Sequence, residues 1–288
     1  MERAKTVCLM VGLMLLFMFV GNLIGGQTGM IIAFLVAGGM NFYSYFFSDK
    51  MVLKQYRAVE VNRANAAGLY NIVERLADRA NLPMPKVYII PEQVPNAFAT
   101  GRNPSHAAVA VTEGLLKMMD EKEVEGVLAH EMSHVNHYDI LIGTIAAAFA
   151  GAIAMLANFA KVGAMTGANS RGGSRAGGAL MLIAAVVMPI AASVIQFAIS
   201  RTREFKADEG AARLTGHPEW LISALAKLDN YAKNYRMQNA TSQTAHMFII
   251  NPFSGLKGLT NLFSTHPTTT DRIEKLSQLE QELKQIRG

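Results

Sequence analysis

Between Thr6 and Ser48 the chain carries no Asp, Glu, Lys or Arg, and an apolar run of that length is enough for two membrane spans of about 20 residues joined by a tight turn. Lipid offers no partners to backbone amides and carbonyls, so such a run is read as two helices. The turn falls at Gly21 to Gly29. Two further uncharged runs, Ile140 to Ala160 and Ala176 to Ser200, enclose a Gly/Ser-rich loop holding Lys161, Arg171 and Arg175. The composition agrees: 51% of residues are hydrophobic and 17% charged, where soluble domains carry about 25% charged.

The expectation is four spans in two hairpins, residues 1–48 and 140–200, with residues 49–139 and 201–288 outside the bilayer. Pro189 and small residues such as Gly151 and Gly178 suit packed membrane helices and equally allow a re-entrant second hairpin. The first apolar run leads straight into the second with no cleavage signal, which reads as an uncleaved anchor. Cys8 is the one cysteine, so no disulfide framework exists.

A net charge of +5 and a pI near 9.3 raise the question of nucleic acid. The basic residues gather at span ends instead of forming one stripe, which argues for membrane orientation and against nucleic acid. Arg3 and Lys5 precede the first span; Lys50, Lys54 and Arg57 follow the second; Arg201, Arg203 and Lys206 follow the fourth. Lys and Arg mark cytosolic loops, so both termini and the segment from Lys50 to Asp139 are expected in the cytosol. Lys161, Arg171 and Arg175 run against this rule.

Outside the bilayer, Val59 to Ala80 has helical apolar spacing and stops before Asn81-Leu-Pro-Met-Pro85. Lys86 to Ile90, Ala97 to Thr100 and Ala107 to Thr112 read as strands of a small sheet. Asp120 and Glu123 form a capping-box pattern that starts a helix. After the second hairpin come a helix ending at Gly216, another from Pro218 to Tyr231, an irregular stretch to Asn261, and a final amphipathic helix. The last carries Ile273, Leu276, Leu279, Leu283 and Ile286, a docking stripe too short for a coiled coil.

The capped helix contains His130-Glu131-Met132-Ser133-His134. Four residues apart, the imidazoles share one face and can reach one zinc ion, while Glu131 projects beside them as general base for the water that zinc acidifies. A catalytic zinc takes three protein ligands. The metzincin pattern is excluded, because it needs Gly at position 137 and His at 140 where this chain has His137 and Ile140. A Glu from a second helix is the alternative, and Glu204 with Asp208 on one helical face supplies a ligand and a partner for a ligand imidazole. Glu209 is the rival donor but points about 100° from Asp208, and His137 is read as a polar residue where the helix meets the membrane. An intramembrane protease would need an apolar motif helix and an Asp-Gly pair, and neither is present. A structural zinc site would use four Cys or His ligands.

The motif HEMSH, the segment Ser200-Arg-Thr-Arg-Glu-Phe-Lys-Ala-Asp208 and the two span pairs together resemble the HtpX family of membrane proteases, relatives of the CAAX prenyl endopeptidases. The resemblance covers nearly the whole chain. It implies an α+β, mainly helical integral-membrane protein: four candidate transmembrane helices and a gluzincin-type zinc metallopeptidase domain with a small β-sheet. It also implies one Zn2+ per chain, and cleavage of damaged or membrane proteins in the bacterial inner membrane. Asn96, Ala97, Phe98 and Ala99 match a family segment that lines the cleft, where an extended substrate adds a strand by backbone hydrogen bonds. His266 and Arg272 match a His-Pro with an Arg six residues on that lies at the cleft of the prenyl endopeptidases. There they would stabilise the oxyanion; alternatively His266 caps the loop before the last helix and Arg272 is a solvated charge.

Overall fold

The computed structural model describes residues 2–145, 201–234 and 267–287. The first helical element, α1 (Glu2–Gln55), is broken at Gly25 and Gly26, where the backbone leaves helical angles and Gly26 takes φ 58°. Its two legs fold back on each other. Asn41 Nδ2 donates to the Met10 carbonyl at 3.0 Å, and Gly21 approaches Gly29 so closely that a Cβ would lie 2.5 Å from the Gly29 carbonyl oxygen. Small residues permit two helix backbones to approach that closely.

Gly25–Gln55 is the one helix among the described residues long and apolar enough to cross a membrane, and 17% of its apolar window is buried. A core helix of a soluble protein would be mostly covered. Leu15, Phe19, Ile32 and Leu35 are all more than half exposed on the two legs. Thr6–Phe19 is apolar but shorter. Residues 140–145 begin a further helix; the rest of the second hairpin, the stretch 235–266 and with it His266 lie outside the described residues.

One expected element is corrected. Val59–Val61 is not helix but strand β1, and the helix α2 runs only over Ala67–Arg79. The Asn62 side chain accepts from the Ala64 amide at 2.9 Å, and the Asn62 amide donates to the Asn65 side chain at 2.7 Å. These local bonds compete with helical ones and hold a turn.

Strands β2 (Lys86–Ile90), β3 (Ala97–Gly101) and β4 (Ala107–Thr112) complete a sheet of order β1-β2-β4-β3. β2 and β4 are parallel; the other pairs are antiparallel. A short 3-10 turn, Pro104–His106, joins β3 to β4. β3 is therefore an edge.

A one-and-a-half-turn helix, α3 (Glu113–Met118), leads into α4 (Glu121–Asn136). Among the described residues, the helices that follow are α5 (Arg201–Thr215), α6 (Pro218–Asn234) and α7 (Thr269–Arg287). α4 runs through the middle. Val124, Val127, Leu128 and Met132 join Leu69, Ile72, Val73 and Leu76 of α2, Val109 and Val111 of β4, and Leu221, Leu225 and Leu228 of α6 in one core. Leu276 of α7 enters the same core, with Ile273 and Leu279 packed beside it, so the final helix docks as its stripe implied.

Candidate active site

The start of α4 is set by reciprocal bonds: Asp120 Oδ1 accepts from the Glu123 amide and Glu123 Oε2 accepts from the Asp120 amide, both at 2.9 Å. Ser223 and Lys227 of α6 bond Glu123 as well, each at 2.6 Å. With its first turn pinned, the helix presents His130 and His134 one turn apart toward α5. The close approach of α5 depends on Gly210, where a Cβ would lie 2.1 Å from Ser133 Oγ.

His130 Nε2 and His134 Nε2 stand 3.2 Å apart. The Glu204 carboxylate faces both, Oε2 at 3.6 Å from His130 Nε2 and Oε1 at 3.6 Å from His134 Nε2. Zinc with ligand bonds of about 2.0–2.1 Å in tetrahedral array holds its donors roughly 3.3 Å apart; the imidazole pair matches that spacing, and the carboxylate turns one oxygen toward each ring.

The other ring nitrogens point the same way. His130 Nδ1 lies 2.9 Å from Asp208 Oδ1, and His134 Nδ1 lies 3.3 Å from Asp139 Oδ2. A proton on each Nδ1 satisfies its carboxylate and leaves each Nε2 with a lone pair. Two lone pairs and a carboxylate aimed at one point repel unless a cation lies between them, so the residues present fit zinc. Glu209, the rival donor, is exposed and paired with Arg213 at 2.8 Å. His137 ends α4 and bonds Ser133 Oγ at 3.3 Å.

Behind His130 lies a fully buried pair. Arg272 Nε and Nη2 donate to the two Asp208 oxygens at 2.8 and 2.6 Å, and Nη2 also lies 3.4 Å from His130 Nδ1. Burial alone would raise the Asp208 pKa, but the Arg272 guanidinium and His130 hold it below the usual carboxylate range. Burial disfavours charge on His130 as well; hydrogen bonds with Asp208 and Glu204 outweigh it, with Arg272 opposing, and raise its pKa to about 9, so that a positive charge facing Glu204, a proton or a metal ion on Nε2, is favoured. Burial likewise works against the charge on Arg272, which Asp208, then Glu204 and Glu131, more than restore. Arg272 thus meets His130 on its Nδ1 side. Arg272 is therefore buried against Asp208 and His130 and is not a solvated charge.

Glu131 is buried and accepts from the Ala99 amide at 2.8 Å. The carboxylate next to the ligand cluster thus touches the outer edge of β3. Ala97 and Phe98 are buried and Phe98 packs on Tyr56. Asn96 is locked to β4, its amide donating to Thr112 Oγ1 and its carbonyl accepting from the Thr112 amide, each at 2.9 Å. Asp139 is the residue that sequence reading missed. The only signal was a carboxylate five positions beyond a ligand histidine, off its helical face.

Residues 63–280 match the family described as Peptidase family M48. The chain belongs to that family. Among its relatives, a Protease HtpX homolog of Campylobacter hominis is 67% identical over 98% of this chain and 100% of its own length. A Protease HtpX homolog of a Sulfurovum species is 62% identical over 97% of this chain and 100% of its own. A crystal structure of Ste24p from S. mikatae shares the fold with a TM-score of 0.50 at 19% identity, covering 96% of this chain and 65% of that protein, so this chain spans about two thirds of its length. The M48 chain is accordingly a protease of metallopeptidase type, mostly helical with a small sheet, and His130, His134 and Glu204 form a group able to hold its metal.

Proposed function

We propose that this M48 peptidase is a membrane-anchored zinc endopeptidase that cleaves membrane or misfolded proteins on the cytosolic side of the bacterial inner membrane, in envelope quality control. The observation that carries the chemistry is the convergence of donors from His130, His134 and Glu204, with Glu131, the residue after His130 on α4, bonded to the amide of Ala99 on the edge of β3. Zinc supplies Lewis acidity, lowering the pKa of water from 15.7 to about 7 and polarising a carbonyl. Glu131 takes the proton from the attacking water and returns it to the leaving amine. Asp208 keeps the proton of His130 on Nδ1, so that Nε2 stays a ligand. A substrate strand pairing with β3 along Asn96, Ala97, Phe98 and Ala99 runs past Glu131, with affinity from backbone hydrogen bonds and little demand on sequence. His266 is the group we assign to the oxyanion; Arg272 acts through Asp208.

The arrangement in the bilayer follows from the charge pattern and the folded-back legs of α1. Residues 1–48 and 140–200 form two hairpins and four spans; residues 49–139 and 201–288 make the two halves of the cytosolic catalytic domain. Because α4 ends just before residue 140, the site lies close to the membrane surface, which favours membrane-tethered substrates by proximity.

Full-length protein in detergent, assayed for zinc and for casein cleavage with and without chelator, tests the chemistry. One zinc per chain, activity lost on chelation, and a Glu204→Ala variant depleted of zinc are expected. Full zinc in Glu204→Ala together with depleted zinc in Glu209→Ala would transfer the third ligand to Glu209. A cysteine placed at Glu92 should react with impermeant reagents only after the cytosolic face is opened, and labelling in intact cells would reverse the orientation.

A further inference from the structure

His134 is less enclosed than its partner ligand, with 15% of its side chain exposed against 2% for His130. Packing alone does not hold its ring. The chain leaving α4 turns back over it: His137 ends the helix, Tyr138 takes φ 62°, the Tyr138 amide donates to the Val135 carbonyl at 3.2 Å and the Asp139 amide to the His134 carbonyl at 3.0 Å. This is a Schellman turn with tyrosine where glycine is usual, and an L-residue there costs about 1–2 kcal/mol. The turn aims Asp139 at the ring whose own carbonyl it has just bonded. Asp139 Oδ2 reaches His134 Nδ1 at 3.3 Å, and its other oxygen, Oδ1, faces Arg203 Nη1 at 4.0 Å. Both Asp139 and Arg203 are buried. Arg203 precedes Glu204, the third donor to the metal group.

We infer that Asp139 and Arg203 are positioning residues for His134, a counterpart to Asp208 and Arg272 behind His130, and that the pair clasps the chain leaving α4 to the start of α5 at the metal group. The inference rests on His130, His134 and Glu204 being the zinc ligands. Asp139 holds the Nδ1 proton so that Nε2 faces the metal, and Arg203 holds Asp139 in place.

Full-length protein in detergent, stripped of metal and titrated with zinc against a competing chelator, provides the test. The comparison takes the parent, His134→Ala, Asp139→Ala, Asp139→Asn, Arg203→Met, Arg203→Lys and the double variant Asp139→Asn/Arg203→Met. His134→Ala loses tight binding. Asp139→Ala weakens zinc about 10–100-fold, the usual cost of removing a partner behind a ligand. Arg203→Met loses less, Arg203→Lys recovers part of that loss, and the double variant is no weaker than Asp139→Asn, as a shared pathway requires. Cobalt bound in place of zinc should show a shifted visible spectrum in the Asp139 variants. Asp139 variants within about twofold of the parent, where a tenfold loss is expected, overturn the inference if His134→Ala has lost its metal. Parent-like zinc in His134→Ala overturns the ligand set instead. Additive losses in the double variant sever Arg203 from the pair. Should Asp139→Ala fail to fold, the near-isosteric Asp139→Asn replaces it: weakened zinc and a shifted cobalt spectrum support the inference, and parent-like values of both overturn it.

Discussion

A Glu131→Gln variant will keep its zinc and lose at least about 10²–10⁴-fold in peptide hydrolysis, the contribution of a positioned general base. The exchange leaves size and most of the hydrogen bonding intact. The glutamine oxygen can still accept from the Ala99 amide, the 2.8 Å bond that orients this side chain, but an amide cannot take up the proton of the attacking water. Glu131 is not among the converging donors, which are His130, His134 and Glu204, so metal content stays at the parent level. Zinc analysis and kcat measured on one preparation check both halves. Turnover within about tenfold of the parent would remove Glu131 from the chemistry, since a base of this kind contributes at least 10²-fold.

The largest effect on stability belongs to Arg272→Met, expected to cost about 3–5 kcal/mol, the usual result of stripping one partner from a buried ion pair. Asp208 would keep a buried carboxylate with its two shortest bonds gone, those from Arg272 Nε and Nη2 at 2.8 and 2.6 Å. A second substitution, Asp208→Asn, removes the orphaned charge and should recover part of the loss, since contacting residues are not additive. Denaturant unfolding of the parent, the two single variants and the double variant gives the coupling. A direct role at the oxyanion would instead lower kcat while leaving stability and zinc unchanged. Parent stability in Arg272→Met, with kcat lowered, would return Arg272 to the oxyanion.

How much of this was legible in the sequence varied with the range of the interaction that decides it. The start of α4 was readable because the Asp120–Glu123 box is local, spanning three residues. β2 and β4 fell on the expected Lys86–Ile90 and Ala107–Thr112, where β-branched runs are bounded by Pro, Asn and Gly. Val59–Val61 was misread since helical spacing continued through it, and the Asn62 turn that cuts it off depends on which side-chain bonds win. Ligand spacing on α4 and the shared face of Glu204 and Asp208 on α5 were visible as helical arithmetic. Asp139 was invisible to that arithmetic: it reaches His134 only through a turn that leaves the helix. The orientation of Arg272 could not be read at all, because 142 residues separate it from His130 and only the docking of α7 brings them together.

The order of these pieces along the chain has a consequence for biosynthesis. Translation delivers His130, Glu131 and His134 first, on a helix whose first turn is pinned locally, while Glu204 and Asp208 emerge only after residues 140–200, and Arg272 comes later still. Domains fold as they leave the ribosome, amino-terminal parts first, yet here a nascent chain ending before Arg201 has two imidazoles without a carboxylate to complete the set. Until α7 docks, Asp208 lacks the guanidinium that neutralises it. With the ligand set proposed above, the metal group and the pair behind His130 are complete only once the last helix has been made, so the order of the chain itself delays assembly of the site.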